Sequence, residues 1–144
     1  MIIAVTGMTR EARLIAHHNV ISAVGGGDAA ALEKRISAAI AKGGRRILSV
    51  GICGALCPEL RVGDVVLASE IVTPDGVYAT NASWTRDLAD RIPHVVIASM
   101  AGVNAVSADE ANKADLRATT KARTVDMESH VAARTALADR KSVV

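Results

Sequence analysis

The fold of this chain is decided by two stretches: Ser49–Val72, SVGICGALCPELRVGDVVLASEIV, and Thr124–Ala132, TVDMESHVA. The first begins as an apolar strand, enters a turn of small residues at Gly51–Ala55 and continues into a second long strand. The second places Glu128 where a strand gives way to a helix. Ligands of α/β sheets collect at the carboxyl ends of the strands. Both stretches therefore predict parts of one pocket.

Strands and helices alternate along the whole chain. The predicted strands are Met1–Thr6, Val20–Val24, Arg46–Gly51, Asp64–Val72, Val95–Ala98, Val103–Val106 and Ala122–Val125. The predicted helices are Thr9–His17, Ala29–Lys42 with Asp28 as its N-cap, Trp84–Arg91, Asp109–Thr119 and Glu128–Ala138. Such alternation is typical of a sheet with helices on both faces. We expect a single α/β domain over residues 1–144, with three α/β/α layers around a central mixed sheet.

Composition excludes several classes of function. The formal net charge of the 144 residues is only +2, and the basic residues are scattered, so no nucleic-acid partner is expected. Tyr78 and Trp84 are the aromatic residues, so the core must be aliphatic. No apolar stretch approaches membrane-spanning length, and no signal peptide or disulfide framework is evident. These features predict a cytoplasmic protein.

Glu128 is the acidic residue with the clearest chemical use. A carboxylate accepts hydrogen bonds from the vicinal hydroxyls of a ribose. It also stabilises the positive charge that develops on the sugar when a glycosidic bond breaks. Alternatively, Asp126 and Glu128 simply supply negative charge at a helix N-terminus. The residues alone leave both interpretations open.

Four motifs together carry a family resemblance. They are GGGDAA (Gly25–Ala30), VGICGAL (Val50–Leu56), LRVGDVVLAS (Leu60–Ser69) and VDMESHVAAR (Val125–Arg134). The chain resembles the nucleoside phosphorylase/nucleosidase superfamily, which contains purine nucleoside phosphorylases and methylthioadenosine/S-adenosylhomocysteine nucleosidases. It is most similar to the hopanoid-associated phosphorylase branch. The resemblance implies cleavage of a purine nucleoside, namely removal of adenine from adenosylhopane, in a homodimeric protein.

The resemblance also implies roles for individual residues. Glu11 positions or activates the attacking water, although it could instead pair with a nearby Arg on its own helix turn. Glu128 holds the ribose hydroxyls, and Met127 packs against the sugar. The implied catalytic residues are Glu11 and Glu128, and the implied substrate-binding residues are Gly51, Ile52, Cys53, Gly54, Val106 and Met127.

No metal or organic cofactor is expected. The histidines and the Cys53–Cys57 pair lack the spacing of a metal site. Inorganic phosphate stays open as a co-substrate. Arg10 and Arg13 are the nearest cations to the first strand end, while Ile52 replaces a polar residue that many members of the family have.

The end of the chain departs from the family pattern. Relatives continue after the helix at Glu128 with a strand that ends in an aspartate, which protonates the purine at N7. Here the residues after Arg134 read TALADRKSVV. We expect that the chain lacks its last strand and helices and is a weak or inactive catalyst. A non-catalytic nucleoside-binding remnant or an assembly domain are the alternatives.

Overall fold

The computed structural model describes residues 1–105 and 109–144 and confirms the α/β class. Its strands are β1 (Ile2–Thr6), β2 (Val20–Val24), β3 (Arg46–Ser49), β4 (Gly54–Ala55), β5 (Val66–Thr73), β6 (Gly76–Ala79), β7 (Val96–Gly102), β8 (Thr124–Asp126) and β9 (Ser142–Val143). Its helices are α1 (Thr9–Leu14), α2 (Ala29–Ala41), α3 (Ala82–Ala89), α4 (Glu110–Thr120) and α5 (Ser129–Ala138).

The strands of the described residues form two hydrogen-bonded sheets, whereas the sequence predicted one central sheet. The first is parallel throughout, with the order β2-β1-β3-β9. The second has the order β4-β8-β7-β5-β6, with antiparallel pairs at both edges. Strand β3 pairs with β1 and β9, and β5 pairs with β7 in the other sheet. Helix α5 contacts strands of both sheets and joins them.

The core is aliphatic, as the composition predicted. Ile3, Val5, Ile36, Ile47 and Val131 are all fully buried in its main cluster. The predicted N-cap of α2 is confirmed, because the side chain of Asp28 accepts a hydrogen bond of 2.9 Å from the Ala31 N–H.

Several predicted boundaries are wrong. The strand expected at Val95–Ala98 is longer than predicted, because β7 runs to Gly102, pairs with β5 through a bulge and continues beside β8. The strand expected at Val103–Val106 is not seen at residues 103–105, and Val106 lies outside the described residues. Helix α1 ends at Leu14 instead of His17. Strands β4, β6 and β9 were not predicted, because two to four residues are too few to show an alternating pattern.

None of the helices that the structure describes is long and apolar enough to cross a membrane.

Candidate active site

Glu11 joins two strand ends. It lies in the first turn of α1, directly after β1, and its Oε2 accepts a hydrogen bond of 2.8 Å from the Met8 N–H. Its Oε1 accepts one of 3.3 Å from the N–H of Ile52, in the turn after β3. A Cβ placed on Gly51 would lie only 3.0 Å from Oε1, so a residue without a side chain permits this approach. Among the described residues its hydrogen-bond partners are backbone amides, and no ion pair joins it to the nearby Arg10 or Arg13 of the alternative interpretation.

Glu128 occupies the N-cap position of α5 without capping it through its side chain. The carboxylate instead lies against the backbone at the ends of β1 and β2. A Cβ on Gly7 would be 3.0 Å from Glu128 Oε1, and a Cβ on Gly25 would be 3.3 Å from the same atom. Three strand ends, those of β1, β2 and β8, therefore meet at this carboxylate.

Asp126 caps the N-terminus of α5. Its two carboxylate oxygens accept hydrogen bonds of 3.2 and 3.1 Å from the Ser129 N–H. The Ser129 hydroxyl also bonds to Asp126 and lies 3.0 Å from the hydroxyl of Ser49, at the end of β3. A hydroxyl has one proton, so when Ser129 donates to Asp126, Ser49 donates to Ser129. This series of hydrogen bonds links β8 to β3.

The acidic groups affect one another. Burial raises the pKa of Glu128 above its ordinary value, and the charges of Asp126 and Glu11 raise it further. Burial also raises the pKa of Asp126 against the opposing effect of the Ser129 hydrogen bonds. The Cys53 thiol has a raised pKa for the same reasons, namely burial and the neighbouring Asp126 charge, so it is a poor nucleophile.

These residues line a cavity of about 730 Å³, which we call the carboxylate cavity. Glu11, Asp126 and Glu128 all face it. Three of the predicted substrate-binding residues also line the carboxylate cavity, namely Gly51, Ile52 and Cys53. The strand ends thus bring both predicted catalytic residues and most of the predicted turn to one space.

A second cavity of about 330 Å³ shares Glu128 with the carboxylate cavity. We call it the side cavity; its walls include Gly25, Gly27, Asp28, Asn104, Met127 and Glu128. Gly54 contributes to neither cavity, because it pairs with Val125 in β4 and a Cβ on it would be 3.1 Å from Val125 Cγ1. Val106 lies outside the described residues.

Sequence reasoning missed two polar residues of this region. Asp126 was considered only as a helix-end charge, yet it faces the carboxylate cavity. Asn104 was not singled out, because one amide in a loop after β7 carries no pattern. Arg10 and Arg13 do not line either cavity; among the described lining residues of both, Arg61 is the one lysine or arginine.

An α/β chain with carboxylates grouped at converging strand ends has the form of a small-molecule enzyme site. The model of the phosphorylase superfamily matches residues 2–138, and the chain belongs to that family. No curated protein matches the chain.

Solved structures support the same fold. The methylthioadenosine/S-adenosylhomocysteine nucleosidase of Streptococcus pneumoniae, in complex with 8-aminoadenine, is similar with a TM-score of 0.88 and 15% identity over 99% of this chain and 81% of that one. The Campylobacter jejuni nucleosidase of the same name gives 0.83 and 19%, over 99% and 81% of the chains. A Helicobacter pylori futalosine hydrolase mutant gives 0.82 and 16%, over 99% and 86%. At these identities the likeness establishes the fold.

Proposed function

We propose that this protein hydrolyses the N-glycosidic bond of a purine nucleoside in the carboxylate cavity. The observation that carries the proposal is the convergence of Glu11 and Glu128 on that cavity from different strand ends. Family membership and the nucleosidase fold of the similar structures support it.

Each carboxylate suits a separate task. Glu128, held against Gly7 and Gly25, accepts hydrogen bonds from the ribose hydroxyls and stabilises the oxocarbenium-like sugar. Glu11 is fixed by two backbone N–H groups and takes a proton from the attacking water. The water oxygen forms a bond to C1′ as its proton passes to Glu11. The C1′–N9 bond breaks, and its electron pair leaves with the purine, which takes a proton from solvent water.

Water suits the charge of this cavity better than phosphate does. Glu11, Asp126 and Glu128 line it, and the charges of the other two raise the pKa of Glu128. A phosphate dianion would meet these negative groups, whereas phosphate sites in proteins gather cations. Arg61 is the single lysine or arginine among the described lining residues, and it faces a cavity with more acidic than basic groups.

A chromatographic assay of purine release tests this proposal. The substrates are adenosine and a 5′-substituted adenosine. We expect the same rate in phosphate-free buffer and in added phosphate, with free ribose as the sugar product. A rate that requires phosphate, with ribose 1-phosphate formed, would contradict hydrolysis. Absence of release under both conditions, from folded protein, would contradict the proposed activity.

The mouth of the carboxylate cavity favours an apolar substituent on the nucleoside. Met8, Ile52 and Val62 line the cavity; Met8 is 49% exposed, Ile52 is 81% exposed and Val62 is fully exposed. Exposed apolar side chains around a polar site are typical of binding surfaces. We therefore include among the proposed substrates an adenosine with a hydrocarbon at its 5′ position, such as adenosylhopane. The same surface is compatible with the proposed homodimer.

The pH dependence of the reaction follows from Glu128. Its ionised form binds the positive sugar, and its pKa is raised from 4.5 by burial, Asp126 and Glu11. The folded enzyme therefore loses activity as the pH falls through a value above 4.5. In Asp126→Asn, one charge that raises this pKa is gone, so the acid limb of the kcat/KM profile should move to lower pH. An acid limb that Asp126→Asn leaves in place would contradict the coupling.

A further inference from the structure

His130 and Asn104 form a pair that the proposed reaction has not used. His130, in the first turn of α5, exposes only 6% of its surface and packs on β7. The packing is tight, since a Cβ on Gly102 would overlap the His130 Cβ. Its Nε2 lies 2.8 Å from Asn104 Oδ1. The ring is therefore held by the backbone on one side and by an amide on the other.

The environment of the ring indicates which atom donates. Burial lowers the pKa of His130, and Arg134 lowers it further, so the ring is neutral at physiological pH. Nδ1 is buried and has no hydrogen-bond partner among the described residues. A buried N–H without a partner is rarer in proteins than an acceptor without one, which favours the proton on Nε2. Nε2–H then donates to the amide oxygen.

The orientation of Asn104 follows from this bond. With its oxygen bonded to His130, the amide group keeps its NH₂ for another partner, and none is found for it in the described residues. Asn104 lines the side cavity together with Met127 and Glu128. Glu128 lines both cavities, so the Asn104 amide places a hydrogen-bond donor in a cavity that shares this accepting carboxylate with the proposed reaction site.

A ribose hydroxyl needs such a pair. When it donates its proton to Glu128, its oxygen keeps lone pairs that were hydrated in water, and leaving them unpaired reduces affinity. We propose that one ribose hydroxyl donates a hydrogen bond to Glu128 and accepts one from the Asn104 amide. His130 is the positioning residue that holds this amide in place. This inference rests on the proposed function of the site, and it assigns a residue for recognising ribose.

Binding of three nucleosides tests the assignment: adenosine, 2′-deoxyadenosine and 3′-deoxyadenosine, each titrated by calorimetry into protein that carries Glu11→Gln, so that the proposed turnover does not consume the ligand. Asn104→Ala should weaken adenosine binding about 2–13-fold, the size of one hydrogen bond. Its effect should nearly vanish for the deoxynucleoside that lacks the contacted hydroxyl. Equal weakening of all three nucleosides, or no weakening, would overturn the assignment.

His130 is tested by the same selectivity. His130→Leu should reproduce the hydroxyl-dependent loss of Asn104→Ala, and the double variant should lose no more than either single one. His130→Gln retains an N–H donor, so it should restore part of the affinity, which guards against a variant that folds poorly. A loss from His130→Leu that is equal for all three nucleosides would overturn its positioning role.

The two proposals fail differently. If the Glu11→Gln protein with Asn104 and His130 intact binds none of the nucleosides, the proposed function and this inference both fall. If it binds them and the hydroxyl selectivity is insensitive to Asn104, only this inference falls.

Discussion

Replacing Glu11 with Gln should lower the kcat of purine release by about 10²–10⁴, the usual contribution of a general base. The amide has nearly the same shape but cannot take a proton from water. The NH₂ end of the amide would also face the backbone N–H of Met8 or Ile52, so two donors would meet where the carboxylate of the wild type accepts a hydrogen bond. Steady-state kinetics of the wild type and the variant measure the effect.

The control for Glu11 is Glu33→Gln, an exposed carboxylate of α2 outside both cavities. It should leave kcat unchanged. A general base also predicts a particular pattern: kcat falls while the affinity for a nucleoside analogue that is not cleaved, measured by calorimetry, changes little. If Glu11→Gln keeps the wild-type kcat, Glu11 only caps its helix and binds the turn at Ile52.

Replacing Glu128 with Gln should lower kcat/KM by about 10²–10³, the range found when one preorganised charge-stabilising group is lost. A neutral amide stabilises the positive sugar poorly and accepts at only one of its two ends. The preference for ribose over deoxyribose should shrink in the variant as well. Kinetics with adenosine and its deoxy analogues measure both effects.

The same substitution has the opposite effect on stability. The pKa of Glu128 is raised in the folded protein, so the folded state holds this proton more tightly than the unfolded state does. As the pH rises through the raised pKa, ionising Glu128 costs folding free energy. Glu128→Gln should therefore melt at a temperature equal to or above that of the wild type at pH 7. A lower melting temperature would indicate that Glu128 is a structural residue.

The general position of the site could be predicted from sequence. Glu11, Gly51 and Glu128 each follow an apolar run, and parallel strands bring their carboxyl ends to one edge. The N-cap at Asp28 could also be predicted from sequence, because capping is a local interaction.

The details of the site depend on contacts between distant residues. The bond from Ile52 N–H to Glu11 spans 41 positions, and the one between His130 and Asn104 spans 26. No periodicity encodes such separations. For the same reason the sequence could not reveal that burial raises the pKa of Asp126, or that β9 joins β3 and the strands divide into two sheets. These features arise from packing of the whole chain.

The central claim is that Glu11 and Glu128 act on one bound nucleoside. A crystal structure with an adenosine analogue that carries a protonated pyrrolidine in place of ribose tests it most directly. We predict that the analogue lies in the carboxylate cavity, with a hydroxyl within about 3 Å of the Glu128 carboxylate. A water bound to Glu11 should face the ring on the side opposite the purine. An analogue bound outside this cavity, or with its hydroxyls directed away from Glu128, would contradict the account.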